Sequence, residues 1–118
     1  MAEEYSVSKK YHNLSVLESE TVHQVSKNGG EWAKYLTTAA RLYRYPFEDQ
    51  MLIYAQRPEA TACAELEDWN ERMSCWVNRG AKGIALFDRD SGRPKLRYVF
   101  DVSDAPFPQG FPVRFLQA

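Results

Sequence analysis

Basic and aromatic side chains alternate over residues 76–97 in a pattern that suits binding to a polyanion. The residues concerned are Trp76, Arg79, Lys82, Lys95 and Arg97. Ammonium and guanidinium groups neutralise backbone phosphates, and flat rings give unpaired bases a surface on which to stack. The residue types therefore predict a single-stranded nucleic-acid interface, with the cations on phosphates and Trp76 stacking if it is exposed. The alternative is a core tryptophan beside Val77, since indoles are usually buried.

The distribution of charge matters more here than its sum. The chain of 118 residues has 15 basic and 16 acidic side chains, a formal net charge of −1. Residues 75–100 nevertheless hold six basic and two acidic side chains, whereas residues 61–74 hold one basic and four acidic side chains. A local basic surface can bind a polyanion whatever the total charge. On charge alone, the simpler interpretation is that the six basic residues are ordinary solvated surface residues. The predicted nucleic-acid interface therefore also depends on Trp76 and on the glycine turn.

Other kinds of site have weaker support. The chain has two cysteines and two histidines, and no His-Glu-x-x-His motif, so neither a disulfide framework nor a zinc site is predicted. Four aspartates could gather Mg²⁺, yet they lie at turns and strand ends, where Asp is common. They are Asp88, Asp90, Asp101 and Asp104. We therefore predict no catalytic residue, metal or cofactor, and we rank a nuclease that uses these aspartates last.

The residues that precede the basic segment 75–100 are expected to form helices that support it. Asn28 can cap a helix whose apolar residues fall at helical spacing. A second, buried helix runs from Phe47 to about Gln56, bounded by Pro46 and by Pro58. The apolar residues of the first helix are Trp32, Tyr35, Leu36, Ala39, Ala40 and Tyr43.

A third helix and three strands complete the prediction. The helix begins near Thr61 or Cys63 and runs to about Met73, with Leu66 and Trp69 facing inward. The period then changes to that of strands, which gives an antiparallel meander and an α+β class, with helices packed on a small sheet. In the last strand, Lys95 and Arg97 lie on the outward face, opposite Leu96 and Tyr98. The predicted strands are Cys75–Val77, Ile84–Phe87 and Lys95–Val102.

Composition divides the chain into three parts. Residues 1–25 form either a loosely amphipathic helix from about Leu14 or an extension ordered only by packing. Residues 26–104 form the domain, and residues 105–118 form a Pro-rich tail or linker. The sequence has no apolar run of membrane-spanning length and a polar, acidic N-terminus, so we expect a cytoplasmic protein with no membrane partner.

Two stretches resemble the N-terminal domain of ArdC-like antirestriction proteins. That domain has a Trp-containing helix, a Val-x-x-Gly-x-Lys-Gly hairpin and a strand ending in Val-Phe-Asp/Asn-Val. Here the pattern corresponds to residues 69–84, with Val77, Gly80, Lys82 and Gly83, followed by residues 98–104. Residues 42–61 are similar to the version found in large multidomain proteins of conjugative elements. The likeness covers roughly Trp32 to Asp104.

The resemblance implies a single-stranded DNA-binding module of a mobile-element protein, joined to downstream domains of the same polyprotein. It implies no enzyme activity for these residues themselves. It does not decide which side chains touch DNA, so Arg79, Lys82, Lys95 and Arg97 rest on charge and strand geometry, with Arg57 and Arg44 as supporting cations from the helical layer. The alternative function is a protein-interaction or regulatory module, suggested by the acidic stretch Glu65–Glu71 and the Pro-rich tail.

Overall fold

The computed structural model describes residues 2–90 and 92–105, with side chains from residue 7 onward. Helices come first, and they are α1 (Ala2–Val25), α2 (Gly29–Arg41) and α3 (Phe47–Gln56). The strands that follow are β1 (Cys63–Ala64), β2 (Ile84–Asp88) and β3 (Lys95–Asp101), which form an antiparallel sheet in the order β1–β3–β2. A π-helical turn, Asp68–Arg72, connects β1 to β2 by way of a long loop, and a 3₁₀ turn, Val102–Asp104, follows β3. The α+β prediction is confirmed.

Helix α3 lies at the centre of the core. It has the predicted bounds, with Pro46 at its N-cap and Arg57, in non-helical geometry, at its C-cap before Pro58. Met51, Leu52 and Ile53 are fully buried. The unbroken apolar run in this helix is therefore explained by packing on several sides, against α1, α2 and β2.

Helix α2 begins as predicted but buries a different face. The Asn28 side chain accepts a hydrogen bond from the backbone amide of Glu31 at 2.9 Å. Tyr35 and Ala39 are buried, whereas Trp32 and Leu36 remain substantially exposed. Thr38 is buried as well, because its hydroxyl donates to the carbonyl of Pro58 at 2.5 Å. Ala40 and Tyr43 are exposed too, so only part of the predicted apolar stripe faces the core.

Helix α1 is longer than the helix predicted from about Leu14, since it begins at Ala2. Leu14 and Val25 are buried in two different core clusters. The ring of Tyr11 packs on Phe87 of β2, with 4.7 Å between the centroids. Residues 11–25 thus contribute to the core.

None of the helices in the described part of the chain has the length and apolar character needed to cross a membrane. The predicted tail lies outside the described residues beyond Ala105, which is buried.

One predicted element beside the sheet is shorter than expected, and another is absent. The third helix begins only at Leu66 and runs to Arg72, because Cys63 and Ala64 form β1 and pair with β3. Trp69 faces inward as predicted, whereas Leu66 is exposed. The predicted strand Cys75–Val77 is an irregular segment. In a meander it would pair with the outer edge of β2, but the side chain of Gln56 bonds to Ala85 on that edge, and the amide of Cys75 donates to the carbonyl of Trp69 instead.

The outer edge of β2 is closed by a side chain from α3. Gln56 accepts a hydrogen bond from the amide of Ala85 at 2.9 Å and donates to its carbonyl at 2.8 Å. The β2–β3 pair is in register from Ile84 opposite Val99 to Asp88 opposite Lys95. Gln56 therefore satisfies backbone groups that β3 cannot reach, and it fixes α3 to the sheet.

Candidate nucleic-acid interface

The segment of residues 76–83, which we name the basic loop, presents an aromatic ring and two cations to solvent. The side chain of Trp76 is 71% exposed. Arg79 and Lys82 are also exposed, and neither makes an ion pair with the side chains described, those of residues 7–90 and 92–105. These three predicted residues thus share one short loop, and their charges are not neutralised by neighbouring carboxylates.

The basic loop is held at its base by buried neighbours. Trp76 stands between Cys75 and Val77, which pack in a cluster around the buried indole of Trp69. The amide of Cys75 donates to the carbonyl of Trp69 at 2.8 Å. Because its two neighbours are turned inward, the side chain of Trp76 projects outward.

Backbone contacts fix the turn itself. The amide of Asn78 donates to the carbonyl of Asp104 at 2.7 Å, and the amide of Ala81 donates to the carbonyl of Asn78 at 3.1 Å. Gly80 has a φ of +85°, a conformation that favours glycine. The turn is therefore defined although the predicted strand before it does not form.

Arg57 lies near the end of the basic loop. It lines a depression of about 180 Å³ together with Lys82 and Gly83. Its guanidinium donates to the carboxylate of Asp104 at 2.8 Å and lies 3.6 Å from Glu59. The predicted supporting cation is thus beside the interface, but two carboxylates partly neutralise it.

The predicted outward face of β3 is wrong for Arg97. Its guanidinium donates to the buried carboxylate of Asp49 on α3 at 2.5 Å and lies 3.6 Å from Glu65. Lys95 is exposed and 3.9 Å from Asp88 at the far end of the hairpin. The face that carries Arg97 also carries Val99 and packs under α3, so the cation points toward the helices.

Arg44 belongs to the connection between α2 and α3. Its guanidinium lies over the ring of Tyr43, 5.7 Å from the centroid, and donates to the hydroxyl of that residue at 3.3 Å. These contacts hold the Arg44 side chain against Tyr43 in that connection. Of the seven predicted residues, the structure brings together Trp76, Arg79, Lys82 and Arg57.

Two residues that the sequence did not single out lie beside Lys82. Lys10 of α1 and Tyr98 of β3 line the same groove as Lys82 and Gly83. Strand alternation predicts an inward Tyr98, yet its side chain is 43% exposed. Lys10 could not be found from periodicity, because the apolar residues of 1–25 show no clear stripe.

The cysteines and carboxylates in the described ranges do not form a reactive centre. Burial, followed by the charge of Asp101, raises the pKa of the Cys63 thiol to about 12, and burial also raises the pKa of Cys75. Both thiols therefore remain protonated and poorly nucleophilic at neutral pH. Among the described side chains, which begin at residue 7, there is no group of three or more His, Cys, Asp or Glu residues that could hold a metal ion.

The buried carboxylate of Asp101 has a structural role, because it accepts hydrogen bonds from the backbone that precedes β1. Its carboxylate accepts hydrogen bonds from the amides of Thr61 and Ala62 at 2.9 and 3.2 Å, and from the hydroxyl of Ser103 at 2.6 Å. Burial alone raises the pKa of Asp101, but the hydrogen bonds from Ser103, Thr61 and Ala62 outweigh it, and the pKa falls below its ordinary 3.8. The carboxylate thereby fastens the strand β1 to the end of β3.

We expect Asp101→Asn to lower the free energy of unfolding by about 1–2 kcal/mol at pH 7, because an amide accepts these hydrogen bonds more weakly than a carboxylate. A depressed folded pKa stabilises the fold above the ordinary value of 3.8, and this contribution is lost as the pH falls through the folded pKa. Urea denaturation between pH 7 and pH 3 should show the two proteins converging in acid. An equal difference at every pH would contradict this role for the carboxylate.

Comparisons with protein-family models, curated proteins and solved structures gave no match. The resemblance to ArdC-like domains therefore remains a prediction that rests on the residues quoted for it.

Proposed function

We propose that this chain is a single-stranded DNA-binding module that binds through the basic loop with little sequence preference. The observation that carries the proposal is the joint exposure of Trp76, Arg79 and Lys82 on a loop whose cations lack carboxylate partners among the described residues. Free cations can replace the counterions of phosphates, and an exposed indole can stack on any base. Arg57 adds a weaker, partly neutralised charge at the edge.

A single strand suits this surface better than a duplex. Stacking on Trp76 requires a base whose face is open, which a paired and stacked base in a duplex does not offer. Duplex readers usually insert a helix or a two-stranded ribbon into the major groove. The basic loop is neither, and its contacts to the Trp69 cluster and Asp104 hold it against the domain.

The biological setting in the proposal rests on the resemblance. An ArdC-like module would act in the cytoplasm of a cell that receives DNA by conjugation, as part of a longer antirestriction or mobile-element protein. The proposal assigns no catalysis to these residues. Its chemistry is limited to phosphate neutralisation and base stacking.

We expect Arg79→Glu with Lys82→Glu to weaken binding to a fluorescein-labelled dT oligonucleotide by about tenfold or more, with a slope of log K against log [salt] reduced by about 1.4, or 0.7 for each phosphate contact. Fluorescence anisotropy at several salt concentrations measures both quantities. Trp76→Ala should weaken binding without changing that slope, because it removes stacking rather than charge.

The matched control is Lys27→Glu with Lys34→Glu, which makes the same change in net charge at exposed positions before and on α2. This control should bind nearly as well as the unaltered chain. Equal loss in both double variants would mean that net charge, not the basic loop, determines affinity. Preference for the matching duplex over the single strand would also contradict the proposal.

A second candidate function is a protein-interaction module, which the exposed apolar side chains of α2 and the following turn favour. They are Trp32 and Leu36 on α2 and Tyr43 in the turn, and Phe47 at the start of α3 adds to them. Apolar residues grouped on a surface often mark a protein contact. If the chain binds neither single strand nor duplex at low salt, this function becomes the better proposal.

A further inference from the structure

A groove of about 420 Å³ runs between α1 and the β2–β3 hairpin, next to the basic loop. Its floor is apolar and comes from both elements, with Leu14 and Leu17 on α1 and Ala85 and Leu96 on the strands. The volume lies within the roughly 300–1,000 Å³ of small-ligand pockets. The groove is therefore large enough to take a flat ring from solution.

The rim of the groove is positively charged. Lys10 comes from α1 and Lys82 from the basic loop, and no acidic residue is among the described residues that line the groove. Neither lysine makes an ion pair with the described part of the chain. Two uncompensated cations above an apolar floor match a ligand that combines an apolar ring with negative charge.

Tyr98 supplies an aromatic surface at the same place. Its side chain is 43% exposed. Gly83 packs directly against it, because a Cβ atom at Gly83 would lie 3.1 Å from Cβ and 3.2 Å from Cδ1 of Tyr98. A glycine at this position lets the loop come close to the ring while the ring stays open to the groove.

Asn13 lines the groove with an amide that makes no hydrogen bond to the residues described. Gln56 also lines it, but its amide is used by the backbone of Ala85 and Leu52. Asn13 can therefore both donate to and accept from a polar edge. The edge of a base presents such groups next to an apolar face.

We propose that this groove holds one unpaired nucleotide of the bound strand, with its base against Tyr98 and the leucine floor and its flanking phosphates at Lys10 and Lys82. The inference rests on the proposed function and extends it, since Lys82 belongs to both the basic loop and the groove. The strand would pass from Trp76 and Arg79 along Lys82 to α1. An acidic peptide would also meet the lysines, but it would leave the aromatic surface and the apolar floor without a flat partner.

The test compares a dT oligonucleotide with an abasic oligonucleotide of the same length and phosphate number. We expect Tyr98→Leu to weaken binding of the dT strand by about fivefold or more and to leave binding of the abasic strand unchanged. Tyr98→Phe should keep the affinity, because it keeps the ring. Lys10→Gln should weaken both strands and lower the salt slope by about 0.7, whereas Lys9→Gln, beside it but outside the groove, should do neither.

Methyl NMR spectra locate the base independently of affinity. Addition of the dT strand should shift the methyl resonances of Leu14, Leu17 and Leu96, and addition of the abasic strand should shift them much less. If the chain binds dT but Tyr98→Leu and Lys10→Gln bind it equally well, the groove proposal is wrong and the basic loop alone is the site. If the chain binds no oligonucleotide, both proposals are wrong, and a shift of these methyls by an acidic peptide such as oligoglutamate would then assign the groove to a protein partner.

Discussion

Trp69→Ala is expected to lower the free energy of unfolding by about 3–5 kcal/mol, a large part of the roughly 5–15 kcal/mol that separates the folded from the unfolded state of an ordinary domain. The side chain of Trp69 is 1% exposed. It packs with Cys75, Phe100 and Ala105, so its loss opens a cavity beneath the basic loop. Urea denaturation followed by circular dichroism measures the effect.

A hydrogen bond adds to the packing of Trp69. Its indole N–H donates to the carbonyl of Phe100 at 2.8 Å. Trp69→Phe keeps much of the volume but leaves that carbonyl without its partner, so we expect an intermediate loss of about 1–3 kcal/mol. Trp76→Ala is the matched control, since removing an exposed indole should change the free energy of unfolding by no more than about 0.5 kcal/mol. Equal losses at Trp69 and Trp76 would contradict this division between a structural and an exposed tryptophan.

The start of α2 and both limits of α3 follow from local chemistry and could be predicted. A capping side chain at Asn28 and prolines at 46 and 58 act within a few residues, so the helix limits do not depend on distant parts of the fold. The β2–β3 hairpin could also be predicted, because its strands are joined by a short turn. Strand β1 could not, since its two residues are held by pairing with Asp101 and Phe100 at the far end of the chain.

The candidate site was predictable only in part. Side chains on a loop with two glycines are exposed in most folds, and Trp76, Arg79 and Lys82 are exposed here. The direction of Arg97 could not be predicted from alternation, because which face of β3 meets α3 depends on the packing of the helices. Lys10 lines the groove only because α1 packs on the sheet. The residues next to Lys10 in the sequence show no pattern that predicts this packing.

Arg97→Ala is expected to lower the free energy of unfolding by about 2–3 kcal/mol at pH 7, because it leaves the carboxylate of Asp49 buried without its main partner. The expected loss is smaller than the roughly 3–5 kcal/mol for breaking a fully buried ion pair. The reason is that the Arg97 side chain is 32% exposed, whereas that of Asp49 is 5% exposed. Arg97 also donates to the carbonyl of Phe87 at 3.3 Å. Urea denaturation at pH 7 measures this loss, and Lys95→Ala, at an exposed and weakly paired cation, should cost little.

The pH dependence of Arg97→Ala distinguishes this cause from loss of packing. Burial raises the pKa of Asp49 above its ordinary 3.8, and Arg97 opposes that rise. Removing Arg97 must raise the pKa further, so the folded variant binds a proton more tightly than the unfolded chain does. Stability then falls as the pH rises through this raised pKa, and the deficit is greatest at neutral pH and shrinks in acid.

The double variant Asp49→Asn with Arg97→Met should recover much of the stability, because it removes both charges together. A deficit in Arg97→Ala that does not change between pH 7 and pH 4 would instead assign the loss to the aliphatic part of the arginine. Oligonucleotide binding adds a second criterion. If Arg97 acts through Asp49, the folded double variant binds dT as the unaltered chain does, whereas a direct phosphate contact at Arg97 would lower both the affinity and the salt slope.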